Sequence, residues 1–255
     1  MNPTSELYTS LLDAYEHFNT ALFGGKLPSV IFTVQRKKGV MGYFAPERWG
    51  GIDGTKCSEI AINPAYIANS RLIEVMQTLV HEMAHCWQHC FGHPGRDYYH
   101  NKEWALKMIE VGLMPSSTGE PGGRITGQFM SDYIIEDGPF IRTFQQLSDD
   151  KGYQLKWMDR RSLPRLFEPV IAPMVNSNGT EPDKVLASVP VKATPTLSEL
   201  VKPTDSPISD FLIPEAAKRQ TRYRYICSGC DTKVYGKAQL NIRCEDCDRV
   251  FECNE

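Results

Sequence analysis

Residues 71–91, RLIEVMQTLVHEMAHCWQHCF, decide the reading of this chain. Leu72, Val75, Met76, Leu79, Val80 and Met83 recur at three- and four-residue spacing, which predicts a helix with one buried face. Asn69 or Ser70 is expected to cap its start, and Gly92, with Pro94 beyond, to stop it. Inside this apolar helix stands His81-Glu82-Met83-Ala84-His85. Residues four apart share a helix face, so both imidazoles can reach one metal ion. Glu82 points about 100° around the helix, beside the ion rather than on it. There a carboxylate can take a proton from a water whose pKa zinc lowers to about 7, and pass it to a leaving amine. Two histidines and a glutamate in so apolar a helix would be costly without such a partner. The pattern predicts a catalytic zinc ion and peptide-bond hydrolysis, with Glu82 as the base.

A catalytic zinc needs a third protein ligand and one open position. His89 lies on the same helix as the first two, and three ligands along one straight helix surround an ion poorly. His93 sits close to the helix end, beside Gly92 and Pro94. His100 follows a loop long enough to reverse the chain, and is the expected third ligand. Glu103 or Glu110, from the next helix, is the alternative. The zinc-peptidase spacing that would place a histidine at position 91 is excluded by Phe91.

Outward from this segment, residues 5–23 predict an amphipathic helix through Leu7, Leu11, Ala14, Tyr15, Phe18 and Leu22, stopped by Gly24-Gly25. Val30, Phe32 and Val34 alternate as in a strand, Gly42–Phe44 suggests a second, and Glu59–Asn63 a third. Residues 101–111 predict another helix, ended by Gly112, and 115–127 a loop. Between 128 and 168 a helix near Pro139–Leu147 and a strand near Tyr153–Met158 are expected, without an assigned role. Eight of the 17 prolines fall within 169–214, a composition expected of a linker.

The 255 residues are 41% hydrophobic and 23% charged, enough for one substantial core, and the net charge of −3 neither favours nor excludes nucleic acid. No run of eighteen apolar residues predicts a membrane span, and MNPTSELYTS lacks the pattern of a signal peptide, so a cytoplasmic protein is expected.

Of the eight cysteines, Cys227, Cys230, Cys244 and Cys247 form two CxxC pairs separated by thirteen residues. In a reducing compartment this spacing predicts a zinc ribbon with four thiolates closing a structural site. Cys57, Cys86 and Cys90 are expected to be packing thiols, and Cys253 is left over. Arg219, Arg222, Arg224, Lys233, Lys237 and Arg243 surround the pairs, interleaved with Tyr223, Tyr225 and Tyr235. Cations for phosphates and rings for stacking suit single-stranded or damaged DNA. Glu245, Asp246, Asp248, Glu252 and Glu255 close by allow a solvated surface of mixed charge instead.

Taken together, the sequence resembles the SprT-like metalloproteases, the family that includes the Spartan DNA–protein crosslink proteases. The resemblance rests on Phe18-Asn19 with Leu22-Phe23-Gly24-Gly25 and Leu27-Pro28, on His81-Glu82-Met83-Ala84-His85, and on His100 with Trp104 one turn later. The family's Gly-His-Gly segment reads Tyr99-His100-Asn101 here. The resemblance covers roughly residues 5–115 and the ribbon. It implies an α+β, zincin-like fold: a small sheet over the active-site helix, a backing helix, and a small C-terminal zinc ribbon. In such folds a peptide often pairs with a sheet edge; Glu59–Asn63 is either that edge or a buried structural strand. Tyr43, His93, Arg96, Tyr98 and Tyr99 are candidates to stabilise an oxyanion.

The expected organisation is a metallopeptidase domain over 1–115, an extension of it over 116–168, a linker over 169–214 and a ribbon over 215–255. Two zinc ions are expected, one catalytic and one structural, with a protein substrate and no membrane. The rival expectation is a zinc-containing DNA- or protein-binding protein without catalysis.

Overall fold

In the computed structural model, residues 2–150, 152–166, 168–174, 189–190, 196–200, 213 and 222–254 are described. The chain divides into two compact units, Met1–Pro214 and Glu215–Glu255.

In the first unit, Asn2 accepts a hydrogen bond from the Thr4 N–H and Pro3 fills the first helical position, which starts α1 (Pro3–Leu22). Its buried residues include Leu11, Ala14, Tyr15 and Phe18, part of the apolar stripe seen in the sequence. Gly24 and Gly25, both at positive φ, turn the chain. The Asn19 amide fixes that turn through two 3.1 Å hydrogen bonds with the Leu27 backbone.

Three strands follow: β1 (Ile31–Val34), β2 (Gly42–Gly50) and β3 (Lys56–Ile62). Their order is β1–β3–β2, with β3 parallel to β1 and antiparallel to β2. Glu59–Ile62 therefore lies on the central strand, buried, and the edge alternative for it does not hold. Alternation within one strand does not show how many neighbours it has, and the return of β3 beside β1 is a long-range pairing. β2 is left as an edge strand among the described residues. After the short α2 (Pro64–Ile67), α3 (Leu72–Phe91) packs against β2 and β3. Its N-cap is Arg71 rather than Asn69 or Ser70, because the Glu74 carboxylate reaches back to accept the Arg71 N–H at 2.8 Å. Asn101 caps α4 (Lys102–Val111) by accepting from the Trp104 N–H at 3.0 Å.

A second sheet is built from β4 (Leu113–Ser116), β5 (Ser131–Ile135), β6 (Val170–Ala172) and β7 (Val189–Pro190), in that order. The helix α5 (Pro139–Gln145) packs with it. One apolar core joins Phe18, Phe32, Ile60, Met76, Leu79, Trp104, Ile134, Phe140 and Leu155. Each large side chain fully buried there contributes about 1.5–3 kcal/mol. The stretch 128–168 thus shares this core. Tyr153–Met158 is not a strand; it lies along α1 as irregular chain, held by Tyr153 Oη donating to the Ser10 carbonyl and by Lys156 and Trp157 donating to Glu6. Within the expected linker, Val170–Ala172 is a sheet strand paired parallel with β5, and α6 (Leu197–Leu200) is helical. Most of 175–214 lies outside the described residues, as does Arg219.

The second unit is an antiparallel sheet of β8 (Tyr223–Cys227), β9 (Lys233–Gly236), β10 (Arg243–Cys244) and β11 (Arg249–Asn254), ordered β10–β11–β8–β9. Its buried cluster is Tyr225, Cys227, Cys244 and Phe251. Among the described residues no helix is long and apolar enough to cross a membrane.

Candidate metal centre

Helical spacing brings His81 and His85 to one face of α3, and the loop after it returns His100 opposite them. One donor atom from each of the three lies within 4.8 Å of the others. His85 Nε2 and His100 Nε2 are 3.2 Å apart. His100 is fixed by its backbone, which forms an antiparallel bridge with Gly127: N–H to carbonyl at 2.9 Å in one direction and 3.1 Å in the other. Its Nδ1 also donates to the Gly127 carbonyl at 3.2 Å, which leaves Nε2 as the lone-pair nitrogen facing the cluster.

His81 is oriented by a residue that no sequence pattern singled out. Its Nδ1 donates to Asp132 Oδ2 at 2.9 Å. Asp132 stands on β5, and Gln77, one turn before His81, donates to its Oδ1 at 2.8 Å and to its carbonyl at 3.0 Å. A histidine that donates one ring N–H to a carboxylate presents the other nitrogen, more basic and fixed in direction, to a metal. Burial lowers the pKa of His85 well below its ordinary value, and His81 and His100 nearby reinforce this. Burial and His81 likewise lower His100 to about 4. Both imidazoles are held neutral, the form that binds metal. Burial also opposes charge on His81, but the Asp132 hydrogen bond and the Glu82 and Asp132 carboxylates outweigh it and raise its pKa.

The three histidines line a cleft of about 660 Å³, bounded by β2 on one side and by residues 128–132 on another. Glu82 lies on its wall, 7% exposed. Burial pushes its pKa up to about 7, against the pull of His81 and of the Phe44 backbone hydrogen bond. Gly42 lets β2 pass this close: a Cβ there would stand 2.9 Å from the Ala61 carbonyl oxygen and 2.9 Å from Thr78 Cγ2.

The other candidates do not reach the cluster. His89 packs against the Phe44 ring, and His93 is exposed and pairs with Glu103. Glu103 accepts from Gln88 and from the His93 N–H, while Glu110 pairs with Lys107. Among the oxyanion candidates, Tyr43 and Tyr98 line the cleft. Tyr43 donates its hydroxyl to Glu59 at 2.8 Å, and burial with that bond raises its pKa to about 12.

In the second unit one Sγ from each of Cys227, Cys230, Cys244 and Cys247 lies within 4.8 Å of the rest, and all eight cysteines of the chain are free thiols. The Gly229 N–H donates to Cys227 Sγ at 3.4 Å. A Cβ at Gly229 would fall 2.9 Å from Cys247 Sγ, so this knuckle needs glycine there. Both donor sets fit a metal: converging lone-pair nitrogens in one, four converging sulfurs in the other. Cys86 is buried, Cys57 half-buried, and Cys90 and Cys253 exposed.

Residues 11–121 match the model of the SprT-like family, in agreement with the resemblance read from the sequence. A stretch of 49 residues, 19% of this chain, is 43% identical to the uncharacterized protein in the mucB 3' region of Salmonella typhimurium, and spans 66% of that protein's length. No solved structure matches the chain.

Proposed function

We propose that the chain is a zinc-dependent endopeptidase of zincin-like architecture. One observation carries this reading: three histidine donors converge in an open cleft whose wall holds the Glu82 carboxylate. His81, His85 and His100 hold the zinc ion, and Asp132 and Gly127 keep two of the rings in the ligating orientation. Bound there, zinc supplies a Lewis acid that polarises a peptide carbonyl and brings the pKa of water down to about 7. Glu82 receives the proton released on attack and delivers it to the departing amine. The Phe44 N–H, turned to Glu82 rather than to β3, steadies that carboxylate. The substrate lies extended along the free edge of β2, the strand beside the cleft, rather than along β3.

Cys227, Cys230, Cys244 and Cys247 close a structural zinc site, which makes Glu215–Glu255 a zinc ribbon. A reducing cytoplasm suits its four thiolates. The ribbon holds the enzyme on single-stranded or damaged DNA, near proteins bound or crosslinked to it. Strand alternation supports this: Arg224 faces Tyr235 across β8 and β9, with Ile226 and Lys233 on the same face. Lys237 is exposed just beyond, whereas Arg243 is tied to Asp248 at 2.8 Å.

The test is cleavage of unfolded casein by the zinc-loaded full chain. Activity should disappear with a chelator and return with zinc. Zinc bound at the histidines with no cleavage of any unfolded protein would favour the non-catalytic binding protein.

A further inference from the structure

The three histidines are not held in the same way. His81 has Asp132 and His100 has Gly127 as hydrogen-bonded orienters. Among the described residues, the ring nitrogens of His85 come within hydrogen-bond distance of only the His100 nitrogen, a fellow ligand. A ring with no hydrogen bond to fix its plane must be held by packing. That packing is Trp104: the indole lies nearly parallel to His85, planes 22° apart and centroids 5.2 Å apart. The same indole meets His81 at 4.9 Å and His100 at 4.4 Å, both edge to face. Stacked and edge-to-face contacts at these distances are the preferred geometries of aromatic pairs. Trp104 is fully buried on α4, one turn after His100, so the third ligand and the platform arrive on one segment.

We propose that Trp104 is the positioning residue of the histidine centre: its ring face sets the plane of His85 and stands in for the hydrogen-bonded partner that the other two histidines have. The inference rests on the metal-site reading above. Trp104 touches neither substrate nor the reacting atoms. Its Nε1–H has no partner among the described residues, so the contribution comes from the ring rather than from a hydrogen bond.

A purely structural tryptophan predicts a different outcome from a positioning one. Trp104→Phe keeps a ring face under His85. Trp104→Leu keeps apolar volume without one, and Trp104→Met takes its place if the leucine variant does not fold. The measurement is zinc affinity of the folded full chain by chelator competition, with the thiolate site as internal reference, and the visible spectrum of the cobalt-substituted histidine site. The ring-less variant should bind about 10–100-fold more weakly at the histidines, the usual scale for losing an outer orienting partner, and show an altered cobalt spectrum. Trp104→Phe should stay close to the unmutated chain in both. Unchanged affinity and spectrum in the folded ring-less variant would overturn the proposal, as would an equal loss in Trp104→Phe. If the unmutated chain binds metal at the thiolates alone, the histidine-site reading itself fails, a result distinct from either.

Discussion

The two clusters that could hold a metal ion are built in opposite ways. The histidine centre takes its ligands from α3 and from the segment entering α4, with orienting groups on β5 and in the 127 loop, all standing on one large core. The cysteine centre takes its ligands from two knuckles in a sheet whose buried cluster has four members, two of them ligands. In the first unit the fold makes the site; in the second, on the proposed reading, the site makes the fold. The difference also sets what each can do. Three protein donors beside a cleft leave room for a substrate, whereas four thiolates close the coordination shell.

The largest expected effect tests that contrast. Replacing Cys227 and Cys244 together with serine should unfold residues 222–254, because metal binding by so small a module, about 10–16 kcal/mol in comparable peptides, is also its folding energy. The amide NMR signals of the ribbon should collapse while those of the first unit stay dispersed. A ribbon that stays folded without metal would break the comparison.

Next comes the third ligand. His100→Ala should strip zinc from the histidine centre and leave the first unit folded, because Trp104 and the rest of the core remain. His89→Ala and His93→Ala should leave zinc content unchanged, one ring being packed on Phe44 and the other exposed. Retention of both zinc ions by His100→Ala, measured by metal analysis after gel filtration, would sharpen the search toward another donor.

A smaller loss is expected from the orienting carboxylate. Asp132→Asn should weaken zinc binding at the histidines by about 10–100-fold. Chelator competition reads this directly, and unaltered affinity would show that the 2.9 Å contact to His81 does not tune the site.

The smallest effect concerns the ribbon's part in chemistry. A chain cut after Pro214 should cleave a small unfolded peptide about as well as the full chain, but lose any stimulation by single-stranded DNA, because a tether raises local concentration without completing the site. Cutting after residue 168 would be a poorer test, since it removes β6 from the second sheet. Charge reversal at Arg224, Lys233 and Lys237 should weaken DNA binding and flatten its salt dependence. DNA stimulation that survives the cut would place the nucleic-acid surface on the first unit.

What could be read in advance follows from how local each signal is. The α3 stripe, the shared face of His81 and His85, and the CxxC knuckles are set by neighbours in sequence, so spacing alone displays them. His100 needed one chain reversal and was still accessible to argument from loop length. Asp132 was not, because a lone carboxylate 51 residues from His81 carries no pattern; the pairing of β5 beside β4 brings it in. The central place of β3 was hidden for the same reason, since it depends on pairing with β1. Proline content misleads at Val170–Ala172: composition averaged over the 46 residues 169–214 does not see a three-residue strand. The role of Trp104 is a matter of ring planes, and only coordinates show those.

The most direct measurement of the central claim compares the full chain with Glu82→Gln, which keeps the shape of the side chain and removes the base. Both proteins should hold the same zinc at the histidines and have the same circular dichroism, while hydrolysis of unfolded casein by Glu82→Gln falls by at least about 100-fold, the scale of general-base removal. Equal hydrolysis by the two proteins would contradict the account.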